Sequence, residues 1–196
     1  MKKSLTLLSG LTMCISLTAC SNNNSSNISS NESSPKTLVA YFSATGNTKR
    51  VADYIIDITG GDSFEIIPLN PYSSSDLDWT ASGSRVNLEH NDESLRDIPL
   101  QSNSPENFSE YDVVFIGYPI WWGIAAWPIN NFVKNNNFDG KTVIPFATSA
   151  SSGIGDSDSL LKEMSSGGSW LDGHRFSSST NKESVESWIN SLNIKF

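Results

Sequence analysis

This sequence predicts an α/β domain: a five-stranded, doubly wound parallel sheet with helices on both faces. Three observations carry that expectation. Short apolar runs alternate with segments of helical periodicity from residue 37 to the C-terminus at residue 196. Two of the runs, 38–42 and 113–117, are continuous rather than alternating, as in parallel strands buried on both faces. Glycine pairs and prolines punctuate the boundaries. No internal repeat is visible, and the alternation argues for one α/β unit.

Residues 37–42 form the first strand, and a helix follows over about 46–59. In it Val51, Ile55 and Ile58 recur at helical spacing, and Gly60-Gly61 ends it. A short second strand covers 63–67 and is closed by Pro68. The third strand is 113–117. Pro128 suits the first turn of a helix presenting Ile129, Phe132 and Val133 on one face. The fourth strand, 142–147, contains Pro145, which has no N–H for the ladder, so an irregularity is expected there. Asp156 or Ser157 caps a helix carrying Leu160, Leu161 and Met164, which Gly167-Gly168 stops. A weaker fifth strand spans 170–176. Thr180-Asn181-Lys182-Glu183 reads as a capping box before a helix with Val185, Trp188, Ile189 and Leu192 at core spacing. Between Pro68 and Tyr111 the pattern is poor, with a helix expected within 76–91 and a loop over 92–105. A connection this long packs over a functional site or forms an ordered excursion.

The first twenty residues read as an export signal rather than as part of the fold. Lys2 and Lys3 precede an apolar stretch, and Leu17-Thr18-Ala19-Cys20 resembles a lipobox, which would make Cys20 the lipidated residue. An uncleaved anchor is the alternative, but the stretch is short for a span and no stop-transfer flank follows. Cys14 and Cys20 are the only cysteines, so the domain beyond them holds no disulfide and no thiolate chemistry. Residues 21–36, nearly all Ser and Asn to Pro35, form a tether that cannot bury a core. As a flexible coil of roughly 15 residues it would span about 20–25 Å. The domain at 37–196 is therefore expected to be exported and lipid-anchored to the outer side of the cell membrane. Without Lys2 and Lys3 the chain carries 11 basic against 21 acidic residues. That balance disfavours nucleic acid and anionic lipid, and suits either docking to a basic protein face or solubility alone.

In doubly wound sheets ligands bind beyond the carboxyl ends of the strands. Three loops stand there. The first offers Ser43, Thr45 and Thr48 hydroxyls with the amides of Gly46 and Asn47, and leads into a helix N-terminus. It lacks the Gly-Lys-Ser/Thr ending of a P-loop and has no cation among its six residues. A phosphomonoester held by neutral donors fits it, as does an ordinary strand-to-helix turn. The second loop, Tyr118, Pro119, Ile120, Trp121, Trp122 and Gly123, sets two adjacent tryptophans where they are costly to expose. They face a flat ligand, or pack under the long connection. The third loop runs from Thr148 through Ser149, Ser152 and Gly153 to Gly155. It is small enough for its amides to approach a ligand edge, or is simply a surface loop.

Together the loops supply a phosphate grip, an aromatic stack and a polar edge reader, which match flavin mononucleotide (FMN). Ser43-Ala44-Thr45-Gly46-Asn47-Thr48 resembles the phosphate loop of flavodoxins. The loops 117–123 and 148–155 resemble the isoalloxazine loops of a flavodoxin-like bacterial family, and the resemblance runs from about residue 37 to the end. It implies the strand order 2-1-3-4-5 and noncovalently bound FMN. The implied cofactor set is Ser43, Thr45, Gly46, Asn47 and Thr48 at phosphate; Pro119, Ile120, Trp121, Trp122 and Gly123 along the ring; and Thr148, Ser149, Ser152 and Gly153 at its edge. The Trp121-Trp122 pair departs from the ring loop of the long-studied flavodoxins, as does export.

His90 and His174, the only histidines, show no metal-ligand spacing. No Gly-x-Ser-x-Gly elbow supports a hydrolase. The leading expectation is thus an electron carrier that needs no acid–base side chain and meets a redox protein or quinone. The second is an FMN-dependent NAD(P)H or quinone reductase, with the 68–111 connection as substrate wall and Arg85 as anion contact. The third is a lipoprotein that binds a ligand without redox chemistry.

Overall fold

The computed structural model describes residues 34–196. The expected signal segment, Cys20 and most of the tether lie outside the described residues. Elements follow in the order β1 (Thr37–Tyr41), α1 (Asn47–Thr59), β2 (Asp62–Glu65), α2 (Arg85–Asn91), β3 (Val113–Trp121), β4 (Ile124–Ala125), α3 (Pro128–Asn135), β5 (Thr142–Thr148), α4 (Ser157–Met164), β6 (Ser169–Trp170), β7 (His174–Phe176) and α5 (Lys182–Ser191). Short 3-10 turns at Glu93–Arg96 and Phe108–Glu110 lie in the long connection.

The strands pair in the order β2-β1-β3-β5, with β6 and β7 both parallel to β5 on its far side. Counting β6 and β7 as one interrupted strand gives 2-1-3-4-5. The interruption has a chemical cause. Carbonyls of Lys141 and Val143 accept from Ser169 and Leu171, and the Ser149 amide donates to Phe176, so odd residues of β5 face β6 and β7. Pro145 faces that side too and has no N–H to give. The irregularity expected at Pro145 therefore appears in the neighbour: three residues, Leu171 to Gly173, oppose two, Ile144 and Pro145.

Strand alternation sorts the core into two layers. Leu38, Ala40, Val114, Ile116 and Val143 pack on α3 and α4 through Ile129, Phe132, Val133 and Leu161. Val39, Tyr41, Phe115, Ile144 and Phe146 pack on α1 and α5 through Val51, Ile55, Val185 and Trp188. A third, smaller cluster of Val86, Ile98 and Trp127 seats the 68–111 connection against the sheet.

Local differences from expectation have tertiary reasons. β3 does not stop at Gly117, because β5 continues beside it and pairs Pro119 with Thr148. The segment expected as a loop instead ends in a hairpin, with Ile120 opposite Ala125 and Trp121 opposite Ile124. Asn181, not Thr180, caps α5 by accepting from the Ser184 amide at 3.2 Å. Leu160 is 39 % exposed, because of the two adjacent leucines of α4 only Leu161 turns fully inward. Among the described residues no helix is long and apolar enough to cross a membrane.

Candidate functional site

The strand ends β1, β3 and β5 bring the three loops together at one edge. After β1, Gly46 adopts φ 86°, a left-handed conformation that glycine reaches without strain, and α1 begins there with no side-chain cap on Gly46. The Ser43 hydroxyl accepts from the Lys49 amide at 3.1 Å, and the Arg50 amide donates to the Gly46 carbonyl at 3.0 Å. Among the described residues the amides of Thr45, Gly46, Asn47 and Thr48 reach no backbone or side-chain acceptor. Four adjacent donors at a helix N-terminus make an anion cradle. Thr48 itself is buried, with its hydroxyl 2.8 Å from that of Thr148, so its side chain braces the cradle rather than lining it.

A cavity of about 360 Å³ opens from this cradle, lined by Thr45, Asn47, Pro119, Ile120, Trp121, Thr148 and Ser149, with Trp79 among its walls. It shares Leu77, Trp79, Ile120, Trp121, Ser149 and Ala150 with a second cavity of about 400 Å³ that also reaches Trp122 and Ser152. The two form one cleft, polar at the Thr45 end and aromatic at the other, of a size suited to a small cofactor. Most of the residues expected from the sequence therefore meet in one place. Gly46, Gly123 and Gly153 do not line it, and Ser43 borders a smaller cavity of about 130 Å³ beside Tyr72.

The two tryptophans are placed differently. Trp121 is half-buried and held edge-on by Phe42, Tyr72 and Trp127, with ring centroids 5.7, 5.3 and 5.2 Å away. It both packs under the long connection and faces the cleft. Trp122 is 43 % exposed and stacks on His90 at 4.3 Å. It occupies the first turn position of the β3–β4 hairpin at φ 47°, followed by Gly123 at φ 83°. A side chain at Gly155 would meet the Gly123 carbonyl at 2.5 Å, so the third loop approaches the hairpin tip backbone to backbone.

Several residues at the cleft have no role assigned from the sequence, although the flavodoxin-like resemblance also covers Asp76-Leu77-Asp78-Trp79 and Ser84-Arg85. Trp79, 72 % exposed, lines both cavities from the long connection. The Asn87 side chain fixes its loop by donating to the carbonyls of Trp79 and Ala81 at 2.9 and 2.8 Å. Arg175 clasps the third loop, its guanidinium donating to the Ser149 hydroxyl and carbonyl at 2.9 Å each. Arg50 donates to the Ser178 carbonyl and so ties α1 beside the anion cradle to the 177–180 turn. Arg85, expected as an anion contact, is occupied: it pairs with Glu89 at 2.6 Å, donates to the Asn70 carbonyl and lies over the Tyr72 ring. Among the described residues no cluster of His, Cys, Asp and Glu could hold a metal ion.

Parallel order, two-sided helices and a cleft at the strand ends with a neutral anion cradle define a flavodoxin-type α/β protein. The family described as Flavodoxin matches residues 36–192, and the chain belongs to that family. A candidate flavoprotein of Bacteroides eggerthii is 43 % identical over 82 % of this chain and 99 % of its own, with a TM-score of 0.74. Another from Bacteroides uniformis is 40 % identical over 81 % and 99 %, with a TM-score of 0.73. A Lactobacillus acidophilus flavoprotein, solved in complex with FMN, is 25 % identical over 80 % and 99 %, with a TM-score of 0.57. No curated protein matches the chain.

Proposed function

We propose that this protein binds FMN noncovalently and carries electrons, as an exported domain tethered by a lipid on Cys20. One observation carries the FMN reading: four unpartnered amides, Thr45 to Thr48, open into a cleft whose far end is walled by Trp79, Trp121 and Trp122. The cradle fits a phosphate monoester and the aromatic end fits a flat ring. FMN, when bound, supplies the redox chemistry. The chain's own residues hold and shield it. Amides at the α1 N-terminus bind the phosphate, the Thr48–Thr148 contact keeps two loops in register, and Ile120 and Trp121 exclude water from the ring. Ser149 and the small residues after it stand where their backbone can reach a ring edge.

The carrier reading is preferred over a reductase because Arg85 is already paired and stacked within the protein. That removes the cation best placed on the long connection to hold an anionic hydride donor. Export and lipidation rest on Lys2, Lys3 and the Leu17–Cys20 signature alone. The partner is a redox protein or a quinone, and the acidic surface favours a basic docking face.

The protein purified and titrated with FMN tests the reading. Saturable quenching of flavin fluorescence and a flavin absorption spectrum are expected. A protein that stays colourless in excess FMN would refute both redox readings. Rapid bleaching of the loaded protein by NADH or NADPH would favour the reductase. Metabolic labelling with a fatty acid, lost in Cys20→Ala, tests the tether.

A further inference from the structure

We infer that Glu89 is the positioning residue for the ring end of the cleft, fixing Trp121 and Trp122 through Trp127 and Tyr72. This rests on the FMN reading and goes beyond it, since Glu89 touches neither cavity of the cleft. Glu89 sits on α2 and is 4 % exposed. Its Oε2 accepts from the Trp127 Nε1 at 2.8 Å and from the Tyr72 hydroxyl at 2.7 Å. Its Oε1 accepts from the Arg85 Nε at 2.6 Å.

Those donors are the supports of the cleft tryptophans. Tyr72 and Trp127 meet Trp121 edge-on at 5.3 and 5.2 Å, and Trp127 lies nearly parallel to Trp122 at 5.9 Å. Trp127 is fully buried, so its indole N–H needs an acceptor that the apolar core does not supply. A single carboxylate oxygen therefore sets the rotation of two rings: Trp127, on which both indoles rest, and Tyr72, which meets Trp121. A carboxylate suits this place because the Arg85 guanidinium, 3.9 Å from the Tyr72 ring centroid, offsets the burial of its charge. Burial and the Glu89 carboxylate push the Tyr72 hydroxyl up, which keeps it a donor.

The division of labour between the two oxygens gives the test. In Glu89→Gln the amide oxygen can replace Oε2 and keep both ring donors, while the amide nitrogen, itself a donor, faces Arg85 Nε, so the ion pair and the 2.6 Å hydrogen bond are both lost and Arg85 must turn away. In Glu89→Leu both ring donors are left without an acceptor. FMN affinity, the visible circular dichroism of bound flavin and the urea midpoint are measured for each. Glu89→Leu is expected to weaken FMN by about tenfold or more and to change the flavin dichroism. Glu89→Gln is expected to restore affinity to within about threefold of the parent, with the parent dichroism. Tyr72→Phe removes one donor without touching the carboxylate, and is expected to alter the dichroism even where Glu89→Leu does not fold. If Glu89→Leu and Tyr72→Phe lower the urea midpoint but leave affinity and dichroism unchanged, Glu89 is structural only and the inference fails. Glu89→Gln as weak as Glu89→Leu also overturns it, since accepting from Trp127 and Tyr72 would then not be what holds the cleft. A parent protein that binds no FMN refutes the cofactor reading itself, and this inference with it.

Discussion

The hydroxyls of Thr48 and Thr148 lie 2.8 Å apart in the buried floor of the cleft, joining residues one hundred positions apart in the chain. Thr48 belongs to the first turn of α1 and Thr148 ends β5, so the contact fixes the loop after β1 against the loop after β5. Thr48→Val or Thr148→Val alone leaves one buried hydroxyl without its partner, at a cost of about 1–3 kcal/mol. The double variant removes both polar groups at nearly constant shape and should lose much less than the sum. Urea unfolding of the four proteins measures this, and strict additivity would refute the coupling.

Trp122 holds φ 47° in a turn that prefers Asn or Gly at this position. Trp122→Asn should therefore relieve strain on the order of 1 kcal/mol. It also removes the stack on His90 at 4.3 Å and one wall of the larger cavity. The expected pattern is a protein at least as stable to heat, with weaker FMN binding. Lower stability together with unchanged affinity would show that Trp122 serves the core and not the cleft.

Lys141, 6 % exposed, lies at the opposite end of the sheet from the cleft. Its ammonium donates to the carbonyls of Ser109 at 3.1 Å and Tyr111 at 2.6 Å, pinning the second 3-10 turn. Desolvation holds it below the ordinary value of 10.5, so the folded form releases this proton at lower pH than the unfolded chain. The unfolded chain then binds more protons, and this group adds stability as pH climbs from its folded value towards 10.5. Lys141→Met should lower stability at neutral pH by about 2 kcal/mol, because two carbonyls lose their donor. It should also abolish that alkaline increment while FMN affinity stays unchanged.

His174 stacks on Trp188 at 5.4 Å and meets Phe176 at 4.6 Å, and desolvation holds its imidazole below the ordinary 6.5. The neutral ring is thus favoured in the fold. Its contribution is complete above about pH 6.5 and declines as pH falls from there towards the folded value, where the unfolded chain takes up the extra proton. His174→Phe should flatten the stability profile across that window. Thermal melts between about pH 7 and pH 5 read it out, and an unchanged slope would discard the assignment.

The parallel sheet was legible because β1 and β3 are covered on both faces and so read as unbroken apolar runs, and β5 as one broken only by Pro145. The loops were legible because small polar residues follow those runs at once. Trp121 and Trp122 announced themselves by being expensive to expose, but their separate placements did not, since these depend on Tyr72, His90 and Trp127 from elsewhere in the chain. Glu89 was invisible for a related reason. In Arg85-Val86-Asn87-Leu88-Glu89-His90-Asn91 it looks like any surface carboxylate, and only the packing of Trp127 against α2 buries it. The Pro119 segment misled because proline beside two tryptophans has the composition of a loop. The neighbouring β5, which runs on to Thr148, keeps it in the ladder.

The break that Pro145 imposes between β6 and β7 falls on a sheet margin, and it has a consequence for crowding. An intact outer strand offers a row of free amides and carbonyls to any neighbouring copy. Here that row is cut into pieces of two and three residues by the kink at Leu171 to Gly173. A passing chain finds no continuous template there. Wherever copies crowd together, a single missing N–H inside the sheet would act as protection against edge-to-edge assembly.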